Sequence, residues 1–362
     1  MNLQQLDDIL VRFPRVKVCV VGDLFLDKYL DIDKSLGEIS LETGLEAHQV
    51  TQVRCYPGAG GTVANNLAAL GVGRVAMLTL IGDDGEGYEV RRALRCSGID
   101  DSLLQVVPGL FTPTYTKPLL YAKGCRPVEL NRFDIKNRSP LPHSIETSII
   151  DHLEAAVDAF DAVVVADQVR ERNCGVITDR VCARLTDLGG ARPDVVFLAD
   201  SRCRIGEFCN VIVKPNRSEA MAALGIDPEV ATPDGIAQGA LALSQRVARP
   251  VYITLGEEGL LLASDGRTLH IPGYRVTGDT DVVGAGDSVT AGIVASLCSG
   301  STLRQAGLIG NLVASIAVQQ IGATGTASCE DVRRRFAEYC QQHPAEEEKP
   351  DEFRGILLGA GF

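Results

Sequence analysis

The densest chemistry in this chain lies at Asp281-Val282-Val283-Gly284-Ala285-Gly286-Asp287, directly ahead of Ser288–Leu297, a stretch with helical character. Small residues at 284–286 let backbone N–H groups approach an anion closely, and a helix beginning there adds its positive end. A carboxylate in that first turn is kept ionised by the same dipole. An anion cradle beside a carboxylate suits phosphoryl transfer to a hydroxyl, because the cradle stabilises charge and the carboxylate accepts the proton. Spacing alone equally allows a structural turn. No G-x-x-x-x-G-K-[ST] loop exists, which excludes a P-loop kinase. The five histidines are scattered without ligand spacing, and the 11 cysteines include no C-x-x-C pair. Buried reduced thiols are therefore expected rather than a zinc site or a disulfide framework.

The elements that must position these groups can be read from apolar runs. Val16–Val21 precedes Gly22-Asp23, Val75–Ile81 precedes Gly82-Asp83-Asp84, and Ala162–Ala166 precedes Asp167. Val195–Ala199 leads to Asp200, Val211–Val213 to Lys214-Pro215-Asn216, and Val251–Ile253 to Thr254-Leu255-Gly256. Such runs suit parallel strands buried on both faces. Helical spacing separates them at Ser144–Phe160, Cys174–Leu188 and Gly235–Val247, so the fold class is a doubly wound α/β sheet, mostly parallel. Ligands then collect at the carboxyl ends of the strands, where the polar residues fall. Tyr29–Tyr56 and Thr112–Ile135 break this rhythm and are expected to form a small projecting β-sheet, a lid, with long surface loops as the plainer reading. A helix over Glu330–Gln341 closes one domain spanning 1–342, and the charged, proline-broken 343–362 reads as a tail.

Composition narrows the function classes. The 362 residues carry 35 Lys+Arg and 47 Asp+Glu, a net charge of −12 with a pI near 5.0, which argues against nucleic acid or anionic membrane as a partner. No run approaches the ~18 apolar residues of a membrane span. The start, with Asp7 and Asp8, lacks the basic-then-apolar pattern of a signal peptide, so a cytoplasmic protein is expected.

Taken together, the motifs resemble those of the ribokinase-like (PfkB) sugar kinases. Asp281–Asp287 matches the family's D-x-x-G-A-G-D signature, and Val21–Asp27 is similar to its first strand and following substrate-binding aspartate. Asn216–Glu219 is similar to its N-x-x-E element, and Thr254–Gly259 to its nucleotide-binding T-x-G-x-x-G turn. The resemblance implies ATP and Mg2+ as cofactors, Asp287 as general base, and Gly284, Ala285 and Gly286 as the anion hole. It implies sugar contacts at Asp23, Asp27, Gly58, Thr62 and Asp167, and nucleotide contacts at Asn216, Glu219, Thr254, Gly256, Gly259 and Asn311. Asn216 and Glu219 would hold magnesium through water, and Asp281, Val283, Ala317 and Gly322 would hold a monovalent cation such as K+. Relatives commonly pair their lids, which implies a homodimer.

Within the family, Gly22–Tyr29, Thr116-Lys117, Arg132-Phe133-Asp134 and Ala166-Asp167 resemble the heptose-7-phosphate kinases. Those kinases are often fused to a nucleotidyltransferase domain, and the short remainder after residue 335 suggests a kinase-only version. Lys117, Arg126 and Arg132 are candidates for a substrate phosphate, or simply solvated charges. A sugar-phosphate substrate is expected.

One departure stands out. Counting back from Leu70-Gly71, the family's Gly-Gly-x-x-x-Asn falls on Gly58-Ala59 and Thr62, whereas a gapped alignment through Gly60-Gly61 brings in Asn65 or Asn66. Threonine offers one hydroxyl where asparagine offers two donors and an acceptor. This leaves a second reading, a catalytically weak ribokinase-like regulator binding nucleotide or metabolite. A third, a dinucleotide fingerprint over Gly58–Ala64 with Asp83 or Asp84 beyond it, is weak because Gln52 and Arg54 spoil Val50–Tyr56 as a central strand.

Overall fold

A computed structural model describes residues 1–227, 232–322 and 324–343. The chain opens with α1 (Leu3–Leu10) and β1 (Lys17–Gly22), then leaves the core in β2 (Leu24–Asp33), β3 (Glu38–Ile39), β4 (Glu46–Ala47) and β5 (Val50–Ala59). It returns through α2 (Gly60–Ala69), β6 (Arg74–Gly82), α3 (Gly85–Cys96) and β7 (Leu104–Val107). A second excursion makes β8 (Thr114–Tyr121), β9 (Val128–Glu129) and β10 (Phe133–Ile135). Regular alternation follows: α4 (His143–Val157), β11 (Ala162–Asp167), α5 (Asp179–Ala191), β12 (Val196–Ser201), β13 (Ile212–Val213), α6 (Arg217–Ala223), α7 (Pro233–Val247) and β14 (Val251–Thr254). The antiparallel pair β15 (Gly259–Ser264) and β16 (Arg267–Pro272) precedes α8 (Ala285–Cys298), α9 (Leu303–Ala317) and α10 (Cys329–Gln342).

Among the described residues the main sheet runs β16-β15-β14-β13-β12-β11-β1-β6-β7, parallel from β14 to β7. Its central strands are largely apolar because both faces are covered: Val18 and Val20 of β1 join the core under α1, α2, α8 and α9, and Cys19 and Val21 join the core under α4, α5 and α7. The strands Ala162–Asp167 and Val196–Ser201 are buried along their whole length, so their carboxyl ends form a rigid rim.

The lid is a separate sheet in the order β10-β8-β2-β5, with β9 on β8. It starts earlier than the sequence suggested, at Leu24 rather than Tyr29, and ends later, at Ala59 rather than Tyr56. Leu24, Phe25 and Leu26 are buried at its base, which makes them look like core residues in the sequence. Asp27 therefore lies within a lid strand, not in a turn after β1. Strand β5 pairs antiparallel with β2, so it is no central parallel strand and the dinucleotide reading falls. His343, expected in the tail, packs on the domain instead: its ring lies 4.6 Å from that of Tyr339 and its Nε2 is 3.2 Å from the Gly273 carbonyl. The rest of the expected tail, 344–362, lies outside the described residues.

Candidate active site

Helix α8 begins at the motif, three residues earlier than its apolar run suggested. Gly284 is its N-cap at φ +80°, a conformation that favours glycine; an added Cβ would stand 2.9 Å from Thr324 Cγ2 and 3.2 Å from Thr62 Cγ2. The Ala285 N–H donates to the Val282 carbonyl at 3.2 Å. Of the expected cradle, Ala285 is thus engaged in its own turn, while the first-turn N–H groups of Gly286 and Asp287 have no backbone partner among the described residues.

Beneath this turn lies a pair that the sequence reading passed over. Lys214, following β13, is buried at 2% exposure and holds Asp200, at the end of β12, at 2.9 Å. Its Nζ is 3.5 Å from where a Cβ on Gly286 would stand. Burial, reinforced by the charge of Asp200, pushes the Asp287 carboxyl up to about 7 against the pull of Lys214 and Arg202. Burial and then Asp200 also raise Glu219. For Lys214, burial works against the charge, but Asp200 more than offsets it and the net shift is upward. Asp200, Lys214, Glu219, Asp287 and Arg202 line one cleft of about 650 Å3. The signal was available: an acid and a lysine each directly after a buried strand, on neighbouring strands of the sheet.

On one side this cleft opens into a pocket of about 480 Å3 lined by Thr254, Gly256, Gly259, Asn311 and Gly286, four of them expected nucleotide contacts. Asn311 is held by its amide, which donates to the Ile271 and Pro272 carbonyls at 3.1 and 3.2 Å. Asn216 and Glu219 form a capping box on α6: Asn216 Oδ1 accepts the Glu219 N–H and Glu219 Oε2 accepts the Asn216 N–H, both at 2.8 Å. The N-x-x-E spacing therefore has a local structural task as well as a place in the cleft. Among the described residues no three His, Cys, Asp or Glu side chains are arranged to hold a metal alone.

On the other side, sharing Gln168, Arg170 and Arg202 with the cleft, a pocket of about 240 Å3 lies between the sheet and the lid. Several expected sugar contacts are engaged elsewhere. Asp23 accepts the N–H groups of Gln168, Val169 and Val176, all at 2.8 Å, so it ties the 168–176 loop to β1; burial, then Asp167, raises its carboxyl to about 6. Asp167 is held by Ser201 Oγ and Arg204 at 2.6 Å each, is buried, and is absent from the lining. Asp27 pairs with Lys117 at 2.8 Å, and Lys117 also donates to Tyr29 Oη at 3.2 Å. A Cβ on Gly58 would lie 2.5 Å from Asp27 Oδ2, so glycine there keeps room for the carboxylate. Arg126 bonds Asp279 at 3.1 Å. Arg132 does line the pocket, clamped by Asp134 and stacked 4.4 Å from the Tyr115 ring.

Thr62 is buried; its Oγ1 reaches only the Pro57 carbonyl, at 3.4 Å, and its methyl supports Gly284. Asn66 sits one turn further along α2, bonded to the Thr62 carbonyl and to Ser288 Oγ, so it braces α2 against α8. The sequence reading missed Lys136, Arg170 and Arg202, which line the pocket beside Arg132. Lys136 and Arg170 form no ion pair among the described residues, and Arg202 bonds Gln168 at 2.6 Å.

Three of the four groups expected around a monovalent cation each already accept a hydrogen bond. Asp281 Oδ1 accepts the Val283 N–H at 3.0 Å, the Ala317 carbonyl accepts the Gln320 N–H at 3.1 Å, and the Gly322 carbonyl accepts Arg54 Nη1 at 3.1 Å.

Among known proteins, the family described as pfkB family carbohydrate kinase matches residues 16–329. "Bifunctional protein HldE" of Trichlorobacter lovleyi is 32% identical over 341 residues, 91% of this chain and 65% of that protein. The protein of the same name from Geotalea uraniireducens is 30% identical over 358 residues, 96% of this chain and 68% of its own length. The chain thus spans about two thirds of these relatives. Arabidopsis thaliana ribokinase, solved with ribose and ATP, superimposes with a TM-score of 0.65 at 18% identity, covering 88% of this chain and 98% of that one. Phosphofructokinase-2 of Escherichia coli, solved with potassium, gives 0.67 at 18% identity, covering 89% and 99%. These likenesses establish the ribokinase-like fold.

Proposed function

The chain belongs to the pfkB family of carbohydrate kinases, and on that premise we propose that it transfers the γ-phosphoryl group of ATP to a hydroxyl of a sugar phosphate. The observation that carries the reading is the row of three joined pockets, with Asp287 on the middle one. Thr254, Gly256, Gly259 and Asn311 take the nucleotide. The N–H groups of Gly286 and Asp287, backed by Lys214, hold charge on the phosphoryl group in flight. Asp287 accepts the hydroxyl proton; a carboxyl already pushed up to about 7 is a stronger base than an ordinary one.

Asp200, Glu219 and Asp287 crowd three carboxyls around one buried lysine, a donor set of hard oxygens that suits Mg2+ held largely by phosphates and water. Glu219, braced by Asn216, would hold its waters. The ion supplies charge neutralisation across the phosphate oxygens.

The acceptor's own phosphate falls to the pocket under the lid. Asp167 does not reach it and Asp23, though on its wall, is bonded to three backbone N–H groups, whereas Arg132, Lys136, Arg170 and Arg202 outnumber the acids Asp23 and Glu171 in its lining. This agrees with the resemblance to heptose-7-phosphate kinases. The lid also exposes Ile39, Leu41, Leu45, Val53 and Phe133, and its edge strands β5 and β10 are unpaired, so a second copy covers them in a lid-to-lid homodimer. Sedimentation checks this: a concentration-independent monomer with full activity would oppose it.

Release of ADP from ATP with Mg2+ over a panel of heptose 7-phosphate, fructose 6-phosphate, fructose, ribose and nucleosides tests the reaction. A sugar phosphate should give the highest kcat/KM. An unphosphorylated sugar or a nucleoside outcompeting every sugar phosphate would refute the acceptor assignment.

A further inference from the structure

The loops behind the anion cradle are tied to the lid by one cationic side chain. Asp281 donates its N–H to the Val318 carbonyl at 2.8 Å, stitching the 281–283 turn to the end of α9, and Gly284 follows immediately. Into this junction reaches Arg54 from lid strand β5. Its Nε and Nη2 form a two-point clamp on Asp31, at 3.0 and 2.9 Å, which leaves Nη1 to donate to the Gly322 carbonyl. Both partners of the clamp are largely buried, at 20% and 11% side-chain exposure, and the guanidinium lies 5.0 Å from the centre of the Tyr29 ring. The planar fork, with three of its N–H groups already aimed, is a pre-organised cation rather than a wandering one.

The residues here do not fit an exchangeable ion. A K+ ion at the Gly322 carbonyl would have to share it with the Arg54 guanidinium, and the two like charges would repel at that distance. We propose that the Arg54 guanidinium is the resident cation of this junction, a positioning residue that links the lid to the turn carrying Gly284 and makes the protein independent of monovalent ions.

Two measurements test this, and the first needs no activity. A protein with a K+ site gains a few degrees in Tm when the ion is raised to about 100 times its Kd at constant ionic strength. Wild-type protein should show the same Tm in K+, Na+ and tetramethylammonium, whereas Arg54→Ala should melt lower in tetramethylammonium and recover with K+ or free guanidinium. The second measurement rests on the kinase reading: wild-type kcat should be the same in the three salts, and kcat of Arg54→Ala should drop about tenfold and recover in K+. If Arg54→Ala does not fold, Arg54→Lys, which cannot clamp Asp31 and reach Gly322 together, should show the same new response to K+. A wild-type Tm or kcat that rises with K+, or folded variants that respond to ions no more than the wild type, overturns the proposal. Failure of the sugar panel alone, with the Tm pattern intact, would count against the reaction and not against Arg54.

Discussion

The two sides of the central cleft treat their carboxylates in opposite ways. On the acceptor side, Asp23 is satisfied by three backbone N–H groups, Asp167 by Arg204 and Ser201, and Asp27 by Lys117. On the phosphoryl side, Asp200 holds Lys214 and Glu219 accepts the Asn216 N–H, but Asp287 has no hydrogen bond or ion pair among the described residues; burial raises Asp23, Asp167, Glu219 and Asp287 alike. The difference teaches where to look for chemistry: partnered acids build the walls, and the raised acid left without a partner is ready to take a proton.

The sharpest way to break the comparison is Asp287→Asn. Removing the base while keeping the shape should lower kcat by about 10²–10⁴ with little change in ATP affinity by calorimetry. The same variant should be more stable above pH 7. A folded-state pKa raised from 3.8 to about 7 means the charged form is penalised in the fold, and the penalty is complete once pH exceeds about 7. Denaturant melts should therefore show a gain of about 1–2 kcal/mol at pH 8 that disappears below pH 4, where the acid is neutral in both states.

Lys214→Met attacks the same side from its cation. It should lower kcat by about 10²-fold and cost about 3 kcal/mol of stability, because Asp200 is left buried without its partner. Arg170→Ala sharpens the contrast on the acceptor side. It should raise KM for a sugar phosphate about tenfold and KM for ATP much less, since it lines the lid pocket as well as the edge of the central cleft and forms no ion pair among the described residues. The smallest effect belongs to Ala59, held at φ +55° and ψ −124°, a conformation that favours glycine. Ala59→Gly should stabilise the protein by about 1 kcal/mol in denaturant melts, without a change in kcat.

Much of this was legible in the chain. Buried strands such as Ala162–Asp167 announce themselves as continuous apolar runs, and Gly284–Asp287 announces a helix start with an acid in its first turn. What escaped depends on contacts between distant residues. The sequence shows Asp23 after a strand, as a catalytic acid would be, but not the N–H groups at 168, 169 and 176 that fold back to claim it. Lys214 is visible in the sequence only as a polar residue after a strand, because its role comes from Asp200 on the neighbouring strand. Of the three basic residues the sequence suggests for a substrate phosphate, Arg132 lines the pocket whereas Lys117 and Arg126 pair with Asp27 and Asp279, and Lys136 and Arg170 belong to no motif at all.

The central claim is that Asp287 is a base because its surroundings leave it unsatisfied, and the pH dependence of kcat/KM for the sugar phosphate tests it most directly. For the wild type, kcat/KM should rise about tenfold per pH unit below about 7 and level off above it. In Asp287→Asn that acid limb should vanish at a much lower rate. A wild-type limb lying near pH 4, or one that persists unchanged in Asp287→Asn, would contradict the account.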